Sequence, residues 1–450
     1  MNYEECLRYL ADLGHELRGV KFDLVAIQRV LAGLGQPHLR YPTAIVAGTN
    51  GKGSTCAMLA SILHCAGIRA GLYTSPHLVR VNERIQVGRQ EIADEAFADS
   101  FTDVAKAVEQ LLHQKALPQR PSFFEFLTAT AFLHFAREQV DFAVLEVGMG
   151  GRLDATNVTE PRVAIITNVE LDHQEFLGNT RAAIAREKAG IIKPHRPVIW
   201  GGDNLEAAEV IRRKCREVGA ELLELPRAAE ISNVRNHEGC FTFDLALSGS
   251  HFRELAPSLA GRFQIQNATA AVAAALSLRQ QGFAIPIEAI DEGLHEARWP
   301  GRLEVVQERP RIVLDGAHNP AAAEALSTFV REQFQGRQVR LIYASMRDKA
   351  IEEISDLLFP LASEVYLTQT PLARAAQPEE ILQRARCRPE RVVIEPVPGQ
   401  ALEAAIQASA EEDVILVAGS LFLVGAIEHY QQERRTALEQ SSPPLSAMRL

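Results

Sequence analysis

Ala47-Gly48-Thr49-Asn50-Gly51-Lys52-Gly53-Ser54-Thr55 follows an apolar run, Thr43 to Val46, and precedes a segment with Leu59, Ile62, Leu63 and Ala66 at helical spacing. Strand, glycine-rich turn, lysine, hydroxyl, helix is the order of a loop that cradles phosphates. Glycine lets backbone N–H groups approach an anion, and the helix N-terminus adds partial positive charge. Lys52 would neutralise the β- and γ-phosphates of a nucleoside triphosphate, and Ser54 or Thr55 would reach Mg²⁺. The spacing departs from the usual loop. Only Thr49 and Asn50 separate Gly48 from Gly51, and Gly53 follows Lys52 where a hydroxyl residue is customary.

Outward from the loop, apolar runs alternate with helical patterns. The first series comprises Ala44 to Ala47, Gly71 to Thr74, Phe142 to Val147 and Val163 to Val169. Such continuous runs with helices between them predict a parallel sheet covered on both faces, an α/β fold. The stretch from Glu230 to Phe252 alternates instead, which predicts a small antiparallel sheet. At Trp299-Pro300-Gly301 the pattern breaks, and a second series begins: Arg311 to Leu314, Val339 to Ala344, Glu364 to Thr368, Val392 to Glu395 and Val414 to Ala418. The expected division is a nucleotide-binding sheet domain over 1–296, a smaller Rossmann-like α/β domain over 297–436, and a frayed tail over 437–450 with its Ser-Ser-Pro-Pro.

A chain of 450 residues has room for two or three domains. With 47% hydrophobic and 23% charged residues it falls among soluble globular proteins. A net charge of −10 argues against a broad grip on nucleic acid, so an anionic substrate needs a local positive cluster. None of the six cysteines forms a Cys-x-x-Cys pair, which removes zinc and dithiol motifs and leaves reduced thiols as the expectation. Met1 to Leu10 is too acidic and polar for a secretory signal, and no apolar stretch reaches spanning length. A cytoplasmic monomer with no membrane partner is expected.

In an open parallel sheet, ligands bind beyond the carboxyl ends of the strands. Ser75, Glu146 and His173 all sit at or just past such ends. Glu146 is the most telling, because a carboxylate inside an apolar strand is costly unless it is paired or metal-bound. It is either a magnesium ligand or a buried group paired with Lys52 or backbone amides. Gly148 to Asn157 follows the same strand, with three glycines and Arg152, whose planar fork suits phosphate or carboxylate. Lys188 ends a helix that Thr180 can cap and Gly190 can stop. It shares a face with Ile184 and either turns inward or snorkels. In the second series, Asn319 and Pro320 are explained as a helix cap and first helical residue, whereas Asp315, His318 and Ser420 at strand exits are not.

Together these segments resemble folylpolyglutamate synthase, often bifunctional with dihydrofolate synthase, of the Mur ligase superfamily. The likeness runs in order through Gly48 to Thr55, Ser75-Pro76-His77-Leu78, Asn82-Glu83-Arg84, Glu146 to Asn157, Leu171-Asp172-His173, Arg186 to Gly190, Asn267-Ala268, Pro300-Gly301-Arg302 and Asp315 to Pro320. Gly-Thr-Asn-Gly-Lys-Gly-Ser also separates this family from other Mur ligases. The resemblance implies an amide ligase driven by cleavage of ATP, through an acyl phosphate, that adds L-glutamate to dihydropteroate or to folates. It implies Mg²⁺ held by Ser54, Ser75, Glu146 and His173, admits a monovalent cation, and makes Lys188 a carbamylated lysine. Gly48, Thr49, Asn50, Gly51, Lys52, Gly53, Ser54 and Thr55, with Asn267, Arg302 and Asp315, match nucleotide positions, the last two from the second domain. Lys52, Glu146, His173, Lys188 and His318 match catalytic positions. His318 and Ser420 match positions around the incoming glutamate, while Ser122, Phe123, Phe124, Arg152, Leu153, Asp154 and Ala155 match the substrate region of bifunctional members. Two other activities stay open: a ligase of a peptidoglycan precursor, and polyglutamylation without dihydrofolate synthesis.

Overall fold

The computed structural model describes residues 1–14 and 23–441, with side chains to residue 435. It divides into two compact units. One holds the residues up to His77 together with Val81–Trp299, and the other holds Leu78–Arg80 and the residues from Pro300 on.

In the first unit, the strands are β1 (Thr43–Ala47), β2 (Ala70–Tyr73), β3 (Ile85–Val87), β4 (Gln90–Glu91), β5 (Phe142–Glu146), β6 (Val163–Ile166), β7 (Val198–Trp200) and β8 (Leu222–Glu224). They form one sheet in the order β4-β3-β2-β5-β1-β6-β7-β8. From β2 to β8 every pairing is parallel, while β3 and β4 close one edge as an antiparallel pair of short strands. The apolar runs are apolar throughout because both faces are covered. Ala44 and Val46 point into one core cluster, Ile45 and Ala47 into another on the opposite face. The helix Gln264–Gln280, rich in alanine and buried on nearly every side, packs against the helix Lys52–Cys65.

The alternating segment is a separate antiparallel sheet of β9 (Glu230–His237), β10 (Cys240–Leu247) and β11 (Ser250–Leu255). Its middle strand buries Phe241, Phe243, Leu245 and Leu247, every second residue, and exposes more of those between.

The second unit contains β12 (Glu304–Glu308), β13 (Arg311–Leu314), β14 (Val339–Tyr343), β15 (Glu364–Leu367), β16 (Val392–Ile394) and β17 (Val414–Ala418), ordered β12-β13-β17-β14-β15-β16. All are parallel except β12, which pairs antiparallel at the edge. The last helix, Leu421–Ser441, runs past residue 436, where the frayed tail was expected to begin; 442–450 lie outside the described residues. All six cysteines are free, and Cys6, Cys56 and Cys215 are buried. Among the described residues no helix is long and apolar enough to cross a membrane.

Candidate functional site

The parallel neighbours β2, β5, β1 and β6 end on the same sheet edge. Ser75 follows β2, Glu146 ends β5, the glycine loop follows β1, and His173 lies beyond β6. Adjacent registers such as Val46 with Glu146 and Ala47 with Ile166 bring these exits level.

The loop is pinned from both sides. Asn168 Oδ1 accepts hydrogen bonds from Thr49 N at 3.2 Å and Asn50 N at 2.9 Å. The Thr167 hydroxyl donates to Asn50 O at 2.6 Å. Thr49 Oγ1 donates to Glu170 O at 3.2 Å and accepts from Glu170 N at 3.0 Å. Lys52 Nζ donates to Thr49 O at 3.1 Å, which leaves its remaining N–H donors for a ligand. Gly51 has a φ of 81°, and a β-carbon there would lie 2.3 Å from Asn267 Oδ1. Asn267 Nδ2 donates to Gln264 Oε1 at 2.8 Å, and Gln264 Nε2 to Ser54 Oγ at 3.4 Å. Thr55 Oγ1 is buried with no hydrogen-bond partner.

The unusual residue after the lysine has a packing reason. A β-carbon at Gly53 would lie 2.6 Å from the Trp299 indole, well inside contact distance. Gly53→Thr should therefore destabilise the chain by about 1–3 kcal/mol through overpacking. Denaturant unfolding checks this, and Trp299→Ala in the same chain should recover part of the loss. Equal losses with and without Trp299 would rule the contact out as the cause.

Glu146 is 4% exposed, and its Oε2 accepts from Ser75 N at 3.0 Å. One of its two open readings, satisfaction by a backbone amide, is thus part of the geometry. His173 adopts a left-handed backbone (φ 49°) at the start of a short helix, with its Nε2 3.9 Å from Asp172 Oδ2. Glu146 and His173 belong to no closed cage: among the described residues, the group of three acid, Cys or His ligand atoms that already converge is Cys65, Glu292 and Glu296. Mg²⁺ needs no such cage, because it keeps several waters and takes one or two carboxylates plus substrate phosphates. A buried carboxylate with hydroxyl residues at the sheet rim is a donor set that fits it.

Lys188 turns inward. It is 3% exposed, and its Nζ donates to Gly48 O at 2.7 Å. Burial, then the charge of Lys52, pushes its amine down to about 7, against the pull of Asp172. At neutral pH a large share of it is the free amine, the form that reacts with carbon electrophiles.

The residues expected around the acceptor are mostly held by the fold. Ser122 caps the helix Phe123–Arg137 in a reciprocal box with Glu125. Phe124 lies against Gly148, and the Arg84 guanidinium sits 5.5 Å above the Phe123 ring. Asp154 is buried and accepts from Met149 N and Thr156 N, both at 3.0 Å, so it fixes the glycine loop between Leu153 and β5. Burial raises its carboxyl, and the hydrogen bonds oppose that. Ala155 opens the one-turn helix that Asp154 caps. Arg152 is half-exposed and pairs with Glu187 at 3.1 Å.

In the second unit, Asp315 follows β13 and Ser420 follows β17, its parallel neighbour. Asp315 accepts from Leu303 N at 3.0 Å and Ala317 N at 2.9 Å. Burial pushes its carboxyl up, and the nearby Arg302 pulls it down. His318 Nδ1 lies 2.8 Å from Gly316 O, and Gly419 N donates to Ala317 O at 2.9 Å, which ties the two loops together. Ser420 Oγ accepts from Phe422 N at 3.1 Å. Sequence reasoning missed Thr167, Asn168, Glu170, Gln264 and Trp299. A polar pair closing an apolar run was the available signal for Thr167 and Asn168.

A glycine-rich loop with a lysine at the exit of a central strand of a parallel sheet is the arrangement that binds nucleoside phosphates. Residues 46–275 match the Mur ligase middle domain, and residues 301–421 match the Mur ligase, glutamate ligase domain. The dihydrofolate synthase/folylpolyglutamate synthase of Bacillus subtilis (strain 168) is 34% identical over 411 residues, covering 91% of this chain and 95% of its own. The structure of E. coli FolC in complex with DHPP and ADP has a TM-score of 0.85 at 32% identity, covering 96% of this chain and 98% of that one. A bifunctional folylpolyglutamate synthase/dihydrofolate synthase from Yersinia pestis, complexed with AMPPNP and a Mn ion, has a TM-score of 0.83 at 29% identity, with 96% and 98% covered. The chain belongs to the Mur ligase family and, within it, to the folylpolyglutamate synthase/dihydrofolate synthase group. It is an ATP-dependent ligase of small molecules that works with a divalent metal.

Proposed function

We propose that this ligase joins L-glutamate to dihydropteroate and also extends folates with further glutamates. The observation that carries the reading is the loop itself: Lys52 at its mouth, Lys188 beneath it, and the buried Glu146 at the end of the neighbouring strand. A carboxylate is a poor electrophile and needs activation. Its oxygen attacks the γ-phosphorus, the bond to the bridging oxygen breaks, and ADP leaves. The glutamate amine then attacks the acyl phosphate carbon, loses a proton, and expels phosphate. Lys52 stabilises charge on the transferring group. Mg²⁺, with Ser54, Ser75, Glu146 and His173 as its proposed holders, would supply further charge neutralisation there.

Asn267, Arg302 and Asp315 are assigned to the nucleotide, and His318 and Ser420 to the incoming glutamate. The Phe123–Phe124 edge and the Arg152–Ala155 loop are assigned to the pterin side. Lys188 is assigned as a carbamate: its neutral amine attacks CO₂, a nitrogen–carbon bond forms, and one proton is released.

ADP release tests the reading. It should require the acceptor, L-glutamate and Mg²⁺ together, and both dihydropteroate and tetrahydrofolate should serve. Equal release without glutamate, or preference for a UDP-linked muramyl peptide, would overturn it. Tetrahydrofolate alone serving would restrict it to polyglutamylation.

A further inference from the structure

We infer that Thr167, at the exit of β6, is a positioning residue that sets which way the Asn50–Gly51 peptide of the phosphate loop faces, an inference that rests on the loop being the triphosphate seat. In a trans peptide the C=O and the following N–H point in opposite directions. The first two loop peptides are held at both ends. Gly48 O accepts from Lys188 Nζ at 2.7 Å while Thr49 N donates to Asn168 O at 3.1 Å. Thr49 O accepts from Lys52 Nζ at 3.1 Å while Asn50 N donates to Asn168 Oδ1 at 2.9 Å.

The third peptide is different. Its carbonyl, Asn50 O, accepts from Thr167 Oγ1 at 2.6 Å, which turns the Gly51 N–H away from β6. Gly51, at φ 81° and ψ −4°, has the values of the third residue of a type II turn. Rotating the peptide before it gives a type I turn, and glycine accepts both. The rotated form would offer an anion a carbonyl oxygen where it needs an N–H. Nothing in the local sequence chooses between the two forms, so the choice falls to a side chain from the neighbouring strand. Thr167 is buried, so water cannot readily replace its hydroxyl.

Thr167→Val keeps the shape and removes the hydroxyl, whereas Thr167→Ser keeps the hydroxyl. Calorimetric titration of the full chain with ADP and Mg²⁺ should show a Kd raised about tenfold in Thr167→Val and within about threefold of wild type in Thr167→Ser. KM for ATP should rise with it, while KM for glutamate and for the acceptor stays put. If Thr167→Val does not fold, Thr167→Ala against Thr167→Ser makes the same comparison. Wild-type affinity, or tighter binding, in a folded variant without the hydroxyl overturns the inference and leaves the functional reading standing. A wild-type chain that binds no ADP overturns the functional reading and this inference with it.

Discussion

Lys52→Met lowers ligase turnover by about a thousandfold, the loss expected when a preorganised positive charge on a transferring phosphoryl group is removed. Lys52 opens the helix Lys52–Cys65, and its Nζ is held to the loop by Thr49 O at 3.1 Å. The side chain is therefore already placed before substrate arrives, and its effect falls on the transition state more than on binding. The variant should bind ADP more weakly by a smaller factor and unfold at a similar denaturant concentration. Glu146→Gln keeps the hydrogen bond from Ser75 N while removing the charge, and should also reduce turnover, with a steeper demand for Mg²⁺. ADP release under saturating substrates measures both. Turnover of Lys52→Met within tenfold of wild type would remove Lys52 from the chemistry.

These residues were legible because their signals are local. A strand, a glycine turn and a lysine lie within one short segment, and a carboxylate in an apolar strand announces a cost that something must offset. Strands β1, β5, β13 and β17 likewise follow from runs of apolar residues buried on both faces. Short edge strands such as β4, exposed along both residues, carry no such run and were not expected. The collar around the loop was hidden for another reason. The run Val163 to Val169 reads as one strand, yet β6 ends at Ile166, and Thr167 and Asn168 turn to a loop 117 to 119 positions earlier. Gly53 was visible as a departure from the usual loop, but its cause, the Trp299 indole, comes from the far end of the unit. Lys188 shows the limit from the other side. Its helix, Arg181–Lys188, is too polar to declare which face is buried, so the inward turn onto Gly48 O, 140 positions away, needed the fold.

That inward turn predicts the second large effect. Lys188→Met should lower turnover by about a hundredfold, because it removes the buried nitrogen that holds Gly48 O under the phosphate loop. It should also change how stability depends on pH. In the folded chain the Lys188 amine is pushed from 10.5 down to about 7. Between those limits the unfolded chain binds a proton that the folded chain does not, so this group's contribution to stability rises with pH. Below about 7 both states are protonated and the cost of burying the ammonium is fully present. Wild type should therefore gain on Lys188→Met by up to about 1.4 kcal/mol per pH unit between neutral and mildly alkaline pH. Denaturant curves for the two chains at matched pH read the difference directly, and parallel pH profiles would mean that Lys188 is not buried as a free amine. Bicarbonate separates the carbamate from a bare amine: added at constant pH, it should raise wild-type turnover and leave Lys188→Met unchanged. An equal response in both would place the effect elsewhere and leave Lys188 as a clamp on Gly48 O alone.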